Sequence, residues 1–503
     1  MDRLALVSTG IGNLDEILKG GLPRGKIYVV NGIPGTGKTI LSLHFLAAGA
    51  QAGEKVLFIT LAQRVDSLRQ AAAAINICTD GISFKELSTA QALQTLTEQQ
   101  TIFDTSELEL EDTLATLNQS IKDIQPQRVV FDSISSLRML ASDPLTYRQR
   151  LLTLRDFLDD QGITVMLTDT QEVVPGDSEL VAMADGVITL SRTPTNYGKD
   201  RRSLYISKIR NSSYLQGYHD MEITSQGIQL YPLHRSEFNL SGNGFHPTTL
   251  EEGSKALFSG LDGLDNLLGG GLQTGTSCLL LGPSGTGKTT IATQFAHQCM
   301  QRGGKVSILL FDELMKTLIQ RTKGLGMDVL PFIDSGQMRF YELSLGSISP
   351  GRLFRLLRRD VKDWGAEIII IDTLTGYFKA MPDDLHLAAQ MHDLLMFLNA
   401  QEVLSFLVVA QHGAVGPNLN VPVDVSYLTD TVLLLRHFEF HGELRQAISV
   451  YKKRFGLHER QIREMRLTSA GIQIGQPLNQ FTGIMSGMPD YIGESQELMP
   501  IHD

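Results

Sequence analysis

Short apolar runs alternate with amphipathic stretches along the whole chain, which is the pattern of an α/β protein. In the first half, the runs IYVVN, VLFIT and RVVF are typical of buried strands, and helix-like stretches separate them. In the second half, CLLLG, VSILLF and EIIII follow the same order. We therefore predict a mostly parallel, twisted sheet with helices on both faces in each half. Later runs predict an antiparallel extension of each sheet: VITLSRT, SLYISKIR and GIQLYP in one half, and VLLLRHFEF, AISVYKKR and GIQIG in the other.

The two halves repeat one another at a constant offset. The stretch TGIGNLDEILKGGLPRG, which begins at Thr9, corresponds to SGLDGLDNLLGGGLQTG, which begins 250 residues later at Ser259. This period is a whole domain and is too long for a solenoid repeat. A polar, aperiodic stretch with glycine and proline separates the halves. We predict domains at residues 1–235 and 254–492, a linker at 236–253 and a short tail at 493–503.

Each half contains one eight-residue loop pattern that binds phosphates, GIPGTGKT and GPSGTGKT, between a predicted strand and a predicted helix. Glycines let backbone amides turn toward a phosphate chain, and the following helix directs its positive end at the same anion. We expect the lysine of each loop to contact the β- and γ-phosphates of ATP. The predicted nucleotide-binding residues of the loops are Gly32, Pro34, Gly35, Thr36, Gly37, Lys38, Thr39, Gly282, Ser284, Gly285, Thr286, Gly287, Lys288, Thr289 and Thr290.

A magnesium site is predicted beside each loop. Asp132 and Asp372 each follow an apolar run, VVF and IIII, as in a Walker B strand. A carboxylate there, together with the hydroxyl of Thr39 or Thr289, supplies the oxygen ligands that Mg²⁺ prefers. The alternative is an aspartate that only ends a strand or caps a helix.

Composition and charge disfavour several classes of binding partner and of site. The 503 residues carry a net charge of −11, with a pI near 5.6, which disfavours broad binding to nucleic acid or anionic membranes. The three cysteines lack metal-ligand spacing and indicate no disulfide framework. The sequence shows neither a secretion signal at its start nor an apolar run of the roughly 20 residues that a membrane span needs. We expect a soluble, cytoplasmic protein.

The motif order GGLPRG, GIPGTGKT, SKIRNSS, then GPSGTGKT, IIIIDT, YLTDTVLLLRH and AISVYKKR resembles the KaiC family, the ATPases and autokinases of bacterial clocks. The resemblance extends from Thr9 to Ile492. It implies two tandem RecA-like P-loop NTPase domains, and a homohexameric double ring with ATP between neighbouring subunits in each tier. It also implies slow hydrolysis and, in the second tier, phosphoryl transfer to a Ser/Thr pair across the interface.

The KaiC resemblance further implies a pair of carboxylates after the strand that follows each P-loop helix. Such a carboxylate orients or deprotonates the incoming nucleophile. The second half has Asp312 and Glu313 at this place, which implies that these residues and Lys288 are catalytic.

The first half has Ala62 and Gln63 instead, and neither accepts a proton. We therefore predict that the first half binds nucleotide and helps to build the ring but hydrolyses ATP poorly. The alternative is that another carboxylate, for example Asp66 or Asp169, takes over.

The resemblance also places a phosphoacceptor in DVSYLTDTVLLL. Ser426 is the predicted acceptor, with Thr429 nearby and Tyr427 where the family has threonine. An ordinary hydroxyl near a strand start is the alternative. Cations that reach the nucleotide of a neighbouring subunit are implied at Lys208, Arg210, Lys452 and Arg454, and solvated edge-strand charges are their alternative.

Three classes of function remain open from the sequence. The first is a ring ATPase and autokinase whose nucleotide or phosphorylation state sets the binding of unidentified regulatory proteins. The second is a RecA-like DNA-dependent ATPase, to which the arginine-rich stretch GRLFRLLRRD could contribute. The third is a nucleotide-dependent scaffold with little turnover. Only GESQELMPIHD follows Ile492, so a signalling or stress role is expected to fit as well as a clock role.

Overall fold

The chain forms two compact units in a computed structural model. The described residues up to 232 belong to the first unit, and those from 255 belong to the second. The predicted linker at 236–253 and tail residues 494–503 lie outside the described residues. The structure describes residues 5–61, 63–87, 105–138, 144–170, 179–194, 199–232, 255–344, 346, 348–380, 387–410, 426–484 and 489–493.

The strands of the first unit are β1 (Leu6–Val7), β2 (Leu22–Pro23), β3 (Ile27–Asn31), β4 (Val56–Thr60), β5 (Ile82–Glu86), β6 (Arg128–Asp132), β7 (Thr164–Asp169), β8 (Gly186–Thr193), β9 (Arg201–Ile209), β10 (His219–Thr224) and β11 (Gly227–Tyr231). Nine of them form one sheet in the order β11-β10-β9-β8-β3-β7-β6-β4-β5. The six neighbouring strands β8, β3, β7, β6, β4 and β5 pair in parallel. Strands β9, β10 and β11 extend the sheet beyond β8 in antiparallel fashion.

Helices cover both faces of this sheet. Tyr28 and Val30 pack with the helix that follows the first loop, whereas Val29 packs in the cluster on the opposite face, because successive strand residues alternate in direction. The predicted architecture is confirmed. The helices are α1 (Gly12–Ile17), α2 (Lys38–Gln51), α3 (Val65–Ala74), α4 (Thr105–Ile124), α5 (Ser135–Arg138), α6 (Pro144–Asp160) and α7 (Glu179–Met183).

The second unit repeats this plan. Its strands are β12 (Ala256–Leu257), β13 (Leu272–Gln273), β14 (Ser277–Gly282), β15 (Val306–Leu310), β16 (Met338–Glu342), β17 (Ile368–Asp372), β18 (Leu404–Ala410), β19 (Thr431–Phe440), β20 (Glu443–Lys453), β21 (Arg463–Thr468), β22 (Gly471–Pro477), β23 (Phe481–Thr482) and β24 (Asp490–Tyr491). The main sheet has the order β16-β15-β17-β18-β14-β19-β20-β21-β22, with β20 to β22 antiparallel. The prediction that the runs VITLSRT and VLLLRHFEF belong to the antiparallel extensions is wrong, because β8 and β19 pair in parallel with β3 and β14. Strands β10 and β21 are additions to the extensions that the sequence predicted.

The second unit also has helices on both faces of its sheet. A π-helical turn, Asp360–Trp364, continues its arginine-rich helix. No helix in the described part of the chain is both long enough and apolar enough to span a membrane. The helices are α8 (Asp262–Leu267), α9 (Lys288–Gln301), α10 (Met315–Gly324), α11 (Leu330–Asp334), α12 (Pro350–Arg359), α13 (Leu374–Ala380) and α14 (Leu387–Ala400), and a short 3-10 turn spans Ser426–Leu428.

Candidate nucleotide sites

The two predicted phosphate-binding loops connect the central strand of each sheet to the helix behind it. The first loop joins β3 to α2, which begins at Lys38, and the second joins β14 to α9, which begins at Lys288. Gly37 and Gly287 precede these helices with φ of 108° and 90°, a left-handed conformation that a side chain would strain. The turn therefore requires glycine at this position.

The antiparallel extension supports each loop, which the sequence did not reveal. A Cβ on Gly287 would lie 3.1 Å from Cε of Met465, and one on Gly37 would lie 3.0 Å from Cδ1 of Ile223. Gln446 donates from Nε2 to the carbonyl oxygen of Gly285 at 3.1 Å. In the first unit, Arg202 Nε is 3.5 Å from the Gly35 carbonyl oxygen. Strands β9 to β10 and β20 to β21 thus hold the loops from the side.

Hydroxyl groups inside the loops fix their tips. Thr36 and Thr286 are buried, and each donates from Oγ1 to a carbonyl oxygen at 2.9 Å, that of Ile33 or Pro283. The ring nitrogen Nε2 of His437 lies 3.3 Å from the Ser284 carbonyl oxygen. Thr290 is buried in α9, so its side chain packs in the helix. Pro34 is exposed at the first loop.

The two loop lysines are buried and bonded to carbonyls of their own loops. Lys38 donates from Nζ to the carbonyl oxygens of Gly32 and Ile33 at 2.6 and 3.1 Å, and Lys288 donates to that of Pro283 at 2.5 Å. Burial lowers the pKa of both, that of Lys288 to about 8, while nearby carboxylates oppose the shift. A phosphate oxygen would add a further negative charge beside each buried ammonium group.

The predicted magnesium ligands meet in both units. Thr39 donates from Oγ1 to Oδ2 of Asp132 at 2.7 Å, and Thr289 donates to Oδ2 of Asp372 at 2.8 Å. Both aspartates are buried. Burial raises the pKa of Asp372 to about 6, although the Thr289 hydroxyl and nearby cations lower it. A hydroxyl and a carboxylate at this distance fit a Mg²⁺ ion, whose charge would favour the ionised carboxylate.

A second hydroxyl distinguishes the first unit. Thr168, on β7, donates from Oγ1 to Oδ1 of Asp132 at 2.6 Å. In the second unit, Val408 pairs in register with Asp372 and offers no such donor. The Walker B carboxylate is therefore more fully hydrogen-bonded in the first unit than in the second.

The two carboxylates of the second unit follow β15 and are anchored. Asp312 accepts a hydrogen bond at Oδ2 from the Thr373 hydroxyl at 2.5 Å. Glu313 accepts one at Oε1 from Nη1 of Arg321 at 2.7 Å. Sequence reasoning missed Thr373 and Arg321. The charge of Glu313 raises the pKa of Asp372, and that of Lys288 lowers it.

The corresponding part of the first unit lacks this arrangement. Gln63 is exposed, and its backbone exchanges hydrogen bonds with the Thr60 hydroxyl; Ala62 lies outside the described residues. Of the alternative carboxylates, Asp66 is exposed on α3. Asp169 is fully buried at the end of β7, and its charge raises the pKa of Lys38 against the effect of burial.

The predicted intersubunit groups lie away from the loops of their own units. Lys208 and Arg210 donate to carbonyl oxygens of residues 181 and 182, in the segment before β8. Lys452 and Arg454 donate to the carbonyl oxygens of Thr429 and Tyr427, before β19. Strands β8 and β19 run parallel to the loop strands β3 and β14. These cations therefore lie at the edge of the sheet formed by the amino-terminal ends of the parallel strands, whereas the P-loops lie at the edge formed by the carboxyl-terminal ends. Ser426 begins the 3-10 turn at the same edge.

Comparison with known proteins places these features in a family context. A sequence model of the ATPase family described as KaiC matches residues 7–235 and 257–479. The circadian clock protein KaiC3 of Synechocystis sp. (strain ATCC 27184 / PCC 6803 / Kazusa) is 24% identical over 503 residues, covering 98% of this chain and 96% of that protein. The circadian clock oscillator protein KaiC of Parasynechococcus marenigrum (strain WH8102) is 25% identical, covering 96% and 92%. The circadian clock protein KaiC2 of the same Synechocystis strain is 27% identical, covering 97% and 82%.

Proposed function

The chain belongs to the KaiC family of ATPases, and from this premise we propose that it forms a head-to-tail ring that hydrolyses ATP mainly in its second unit. The proposal includes autophosphorylation at Ser426 and a homohexameric ring. The observation that carries it is the placement of the P-loop and of the cationic groups on opposite edges of each sheet. An interface that joins two different edges is heterologous and closes into a ring when the rotation permits.

The opposite edges explain how a nucleotide site is completed. Lys208 pairs in register with Val187, close to the start of β8, and its Nζ donates to the carbonyl oxygen of Val181 in the helix before β8. Lys452 likewise pairs with Val432 at the start of β19. In a head-to-tail ring these cations face the nucleotide of the next copy. Ring ATPases stabilise the charge of the transferring phosphoryl group with cations supplied in this way.

The chemistry of the second unit follows from its side chains. Lys288 binds the phosphates, and Thr289 with Asp372 would hold Mg²⁺, which would neutralise phosphate charge. Glu313 accepts the proton of the attacking water or hydroxyl, or orients that group. The same loop and magnesium ligands occur in the first unit, where Gln63 replaces the glutamate. We infer that the first unit binds ATP and contributes to assembly with little turnover.

Ser426 is the proposed phosphoacceptor because of its position. It lies at the cationic edge, so the head-to-tail ring brings it toward the neighbour's ATP rather than its own. Thr429 is fully buried and is a poor acceptor. The side chain of Tyr427 is exposed, which makes it the competing hydroxyl in this turn. Phosphorylation of Ser426 would add about −2 of charge next to Tyr427, whose carbonyl oxygen accepts a hydrogen bond from Arg454, and would provide a signal that a regulatory protein can read.

A mixing experiment tests both the ring and the acceptor. Chains with Lys288→Ala, which lack a working second loop, are co-assembled with Ser426→Ala chains and radiolabelled ATP. We expect label on Ser426 of the Lys288→Ala chain only, because its neighbour supplies the nucleotide. Each variant alone is the control and should stay unlabelled. Label on Lys288→Ala chains assembled alone, or on none of the mixtures, would contradict transfer between copies.

A further inference from the structure

The ion pair between Arg321 and Glu313 is a feature that the P-loop motif does not explain. Arg321 lies two turns into α10, and its Nη1 donates to Oε1 of Glu313 at 2.7 Å. The two side chains are 36% and 20% exposed, so the pair is partly shielded from water. An ion pair with a direct charge-assisted hydrogen bond restricts the carboxylate far more than solvent would.

The first unit provides an internal comparison for this pair. Helices α3 and α10 begin and end at corresponding positions, 250 residues apart. In the first unit, Gln63 stands where Glu313 is and Ala71 stands where Arg321 is. The acid and its cation are thus present together in one unit and absent together in the other. This is the distribution expected if Arg321 serves Glu313 rather than the stability of the helix.

The geometry of the pair leaves the carboxylate able to react. Arg321 engages Oε1 of Glu313, and no bond to Oε2 is found in the described part of the chain. The other amino group of the guanidinium, Nη2, is buried and meets no acceptor among the described residues. The contact is therefore a single bond that fixes one oxygen and keeps the other available for a nucleophile.

We propose that Arg321 is a positioning residue of the second nucleotide site, which holds Glu313 by Oε1 so that Oε2 faces the attacking water or hydroxyl. This inference rests on the proposed role of Glu313. Displacement of a catalytic group by about 1 Å can cost on the order of 100-fold in rate. A residue that only orients the acid leaves the binding of ATP unchanged.

The test compares steady-state ATP turnover of the full-length chain in a set of variants. Arg321→Lys keeps a charged donor, Arg321→Met keeps apolar bulk without charge, and Lys323→Ala removes an exposed cation from the same helix. Glu313→Gln and the double variant that combines Arg321→Met with Glu313→Gln complete a double-mutant cycle, which measures the coupling between the two side chains. Thermal unfolding of each variant verifies that it is folded.

We expect Arg321→Met to lower kcat by about 10- to 100-fold with KM for ATP within about twofold of wild type. Arg321→Lys should recover part of this loss, Lys323→Ala should lose nothing, and Arg321→Met should cost little more once Glu313 is Gln. An unchanged or increased kcat in Arg321→Met, or the same loss in the Glu313→Gln background, would overturn the inference alone. Full turnover in Glu313→Gln would instead contradict the proposed function and the inference with it.

Discussion

The loop after β3 and the loop after β14 share one geometry, whereas the groups beside them differ. Both loops end in a left-handed glycine, bury a lysine and place a threonine hydroxyl against a Walker B aspartate. Beyond the loops, the second unit has Asp312, Glu313 and Arg321, and the first unit has Ala62, Gln63 and Ala71. The phosphate-loop geometry, called the cradle below, is present in both units, whereas the acidic pair Asp312 and Glu313 is present in only one.

In the proposed function, this difference means that phosphate binding and phosphoryl transfer depend on separate parts of the fold. The cradle is made by backbone geometry and by the antiparallel strands that pack against it. The acid and its partner lie on a strand end and a helix, which can change without disturbing the loop. A unit can therefore lose turnover and still bind the nucleotide that an interface requires.

The largest predicted effect is the loss of turnover when Glu313 becomes Gln. Removal of a general base typically costs on the order of 10²- to 10⁴-fold, so we expect at least about 100-fold lower kcat. Phosphate release measured with saturating ATP checks this. Lys38→Ala is the matched variant of the first unit and should retain most of the turnover. Comparable losses in the two variants, with the ring of Lys38→Ala still assembled by size-exclusion chromatography, would place chemistry in both halves.

Transplanting the acid should restore activity to the first unit. In a Glu313→Gln background, the changes Ala62→Asp, Gln63→Glu and Ala71→Arg copy the second-unit side chains onto the existing cradle. We expect turnover to rise by about 10-fold, since a positioned base supplies only part of the rate enhancement. Phosphate release is compared with the same chain carrying Lys38→Ala, which should abolish the gain. A gain that survives Lys38→Ala would not come from the first site.

Removing the extra hydroxyl of the first unit should have a moderate effect. Thr168→Val deletes the donor to Oδ1 of Asp132 and mimics Val408 of the second unit. The loss of a hydrogen bond to a buried charged group costs about 1–3 kcal/mol of unfolding free energy. Denaturant unfolding of the variant without nucleotide measures this, with Val408→Thr as the reciprocal change. Unaltered stability would mean that this bond does not distinguish the units.

The smallest effect is expected at the strands that support the loops. Gln446→Ala removes a 3.1 Å bond to the carbonyl oxygen of Gly285, and Arg202→Ala removes a longer contact to that of Gly35. We expect ATP affinity to fall by about threefold at the second site and by less at the first, because a neutral hydrogen bond contributes about 1 kcal/mol. Titration with a fluorescent ATP analogue measures both changes. A larger loss in Arg202→Ala would reverse this order.

The fold was largely predictable because its central strands are continuous apolar runs in a repeated order. The strands that the prediction omitted from the extensions carry charges among their apolar residues, as in HDMEIT of β10 and REMRLT of β21. Partly exposed strands at the side of a sheet need polar residues on the open face, so their apolar signal is weak. Their pairing to neighbouring strands, rather than their composition, makes them strands.

The candidate sites were predictable only as far as their motifs are local. The loops and the Walker B aspartates lie in recognisable patterns, and the structure brings them together. The bond from Thr168 to Asp132 joins residues 36 positions apart, and Arg321 reaches Glu313 across a loop and two helical turns. Such contacts depend on tertiary packing. No motif around Thr168 or Arg321 indicates which carboxylate its side chain contacts.

The most direct test of the account is a structure of the chain determined after incubation with ATP and Mg²⁺. The account predicts intact ATP in the loop at Lys38 and ADP, or ADP with phosphate, in the loop at Lys288. It also predicts Glu313 facing the terminal phosphate position of the second site. ADP in the first loop with unreacted ATP in the second would contradict the proposed division between the two units.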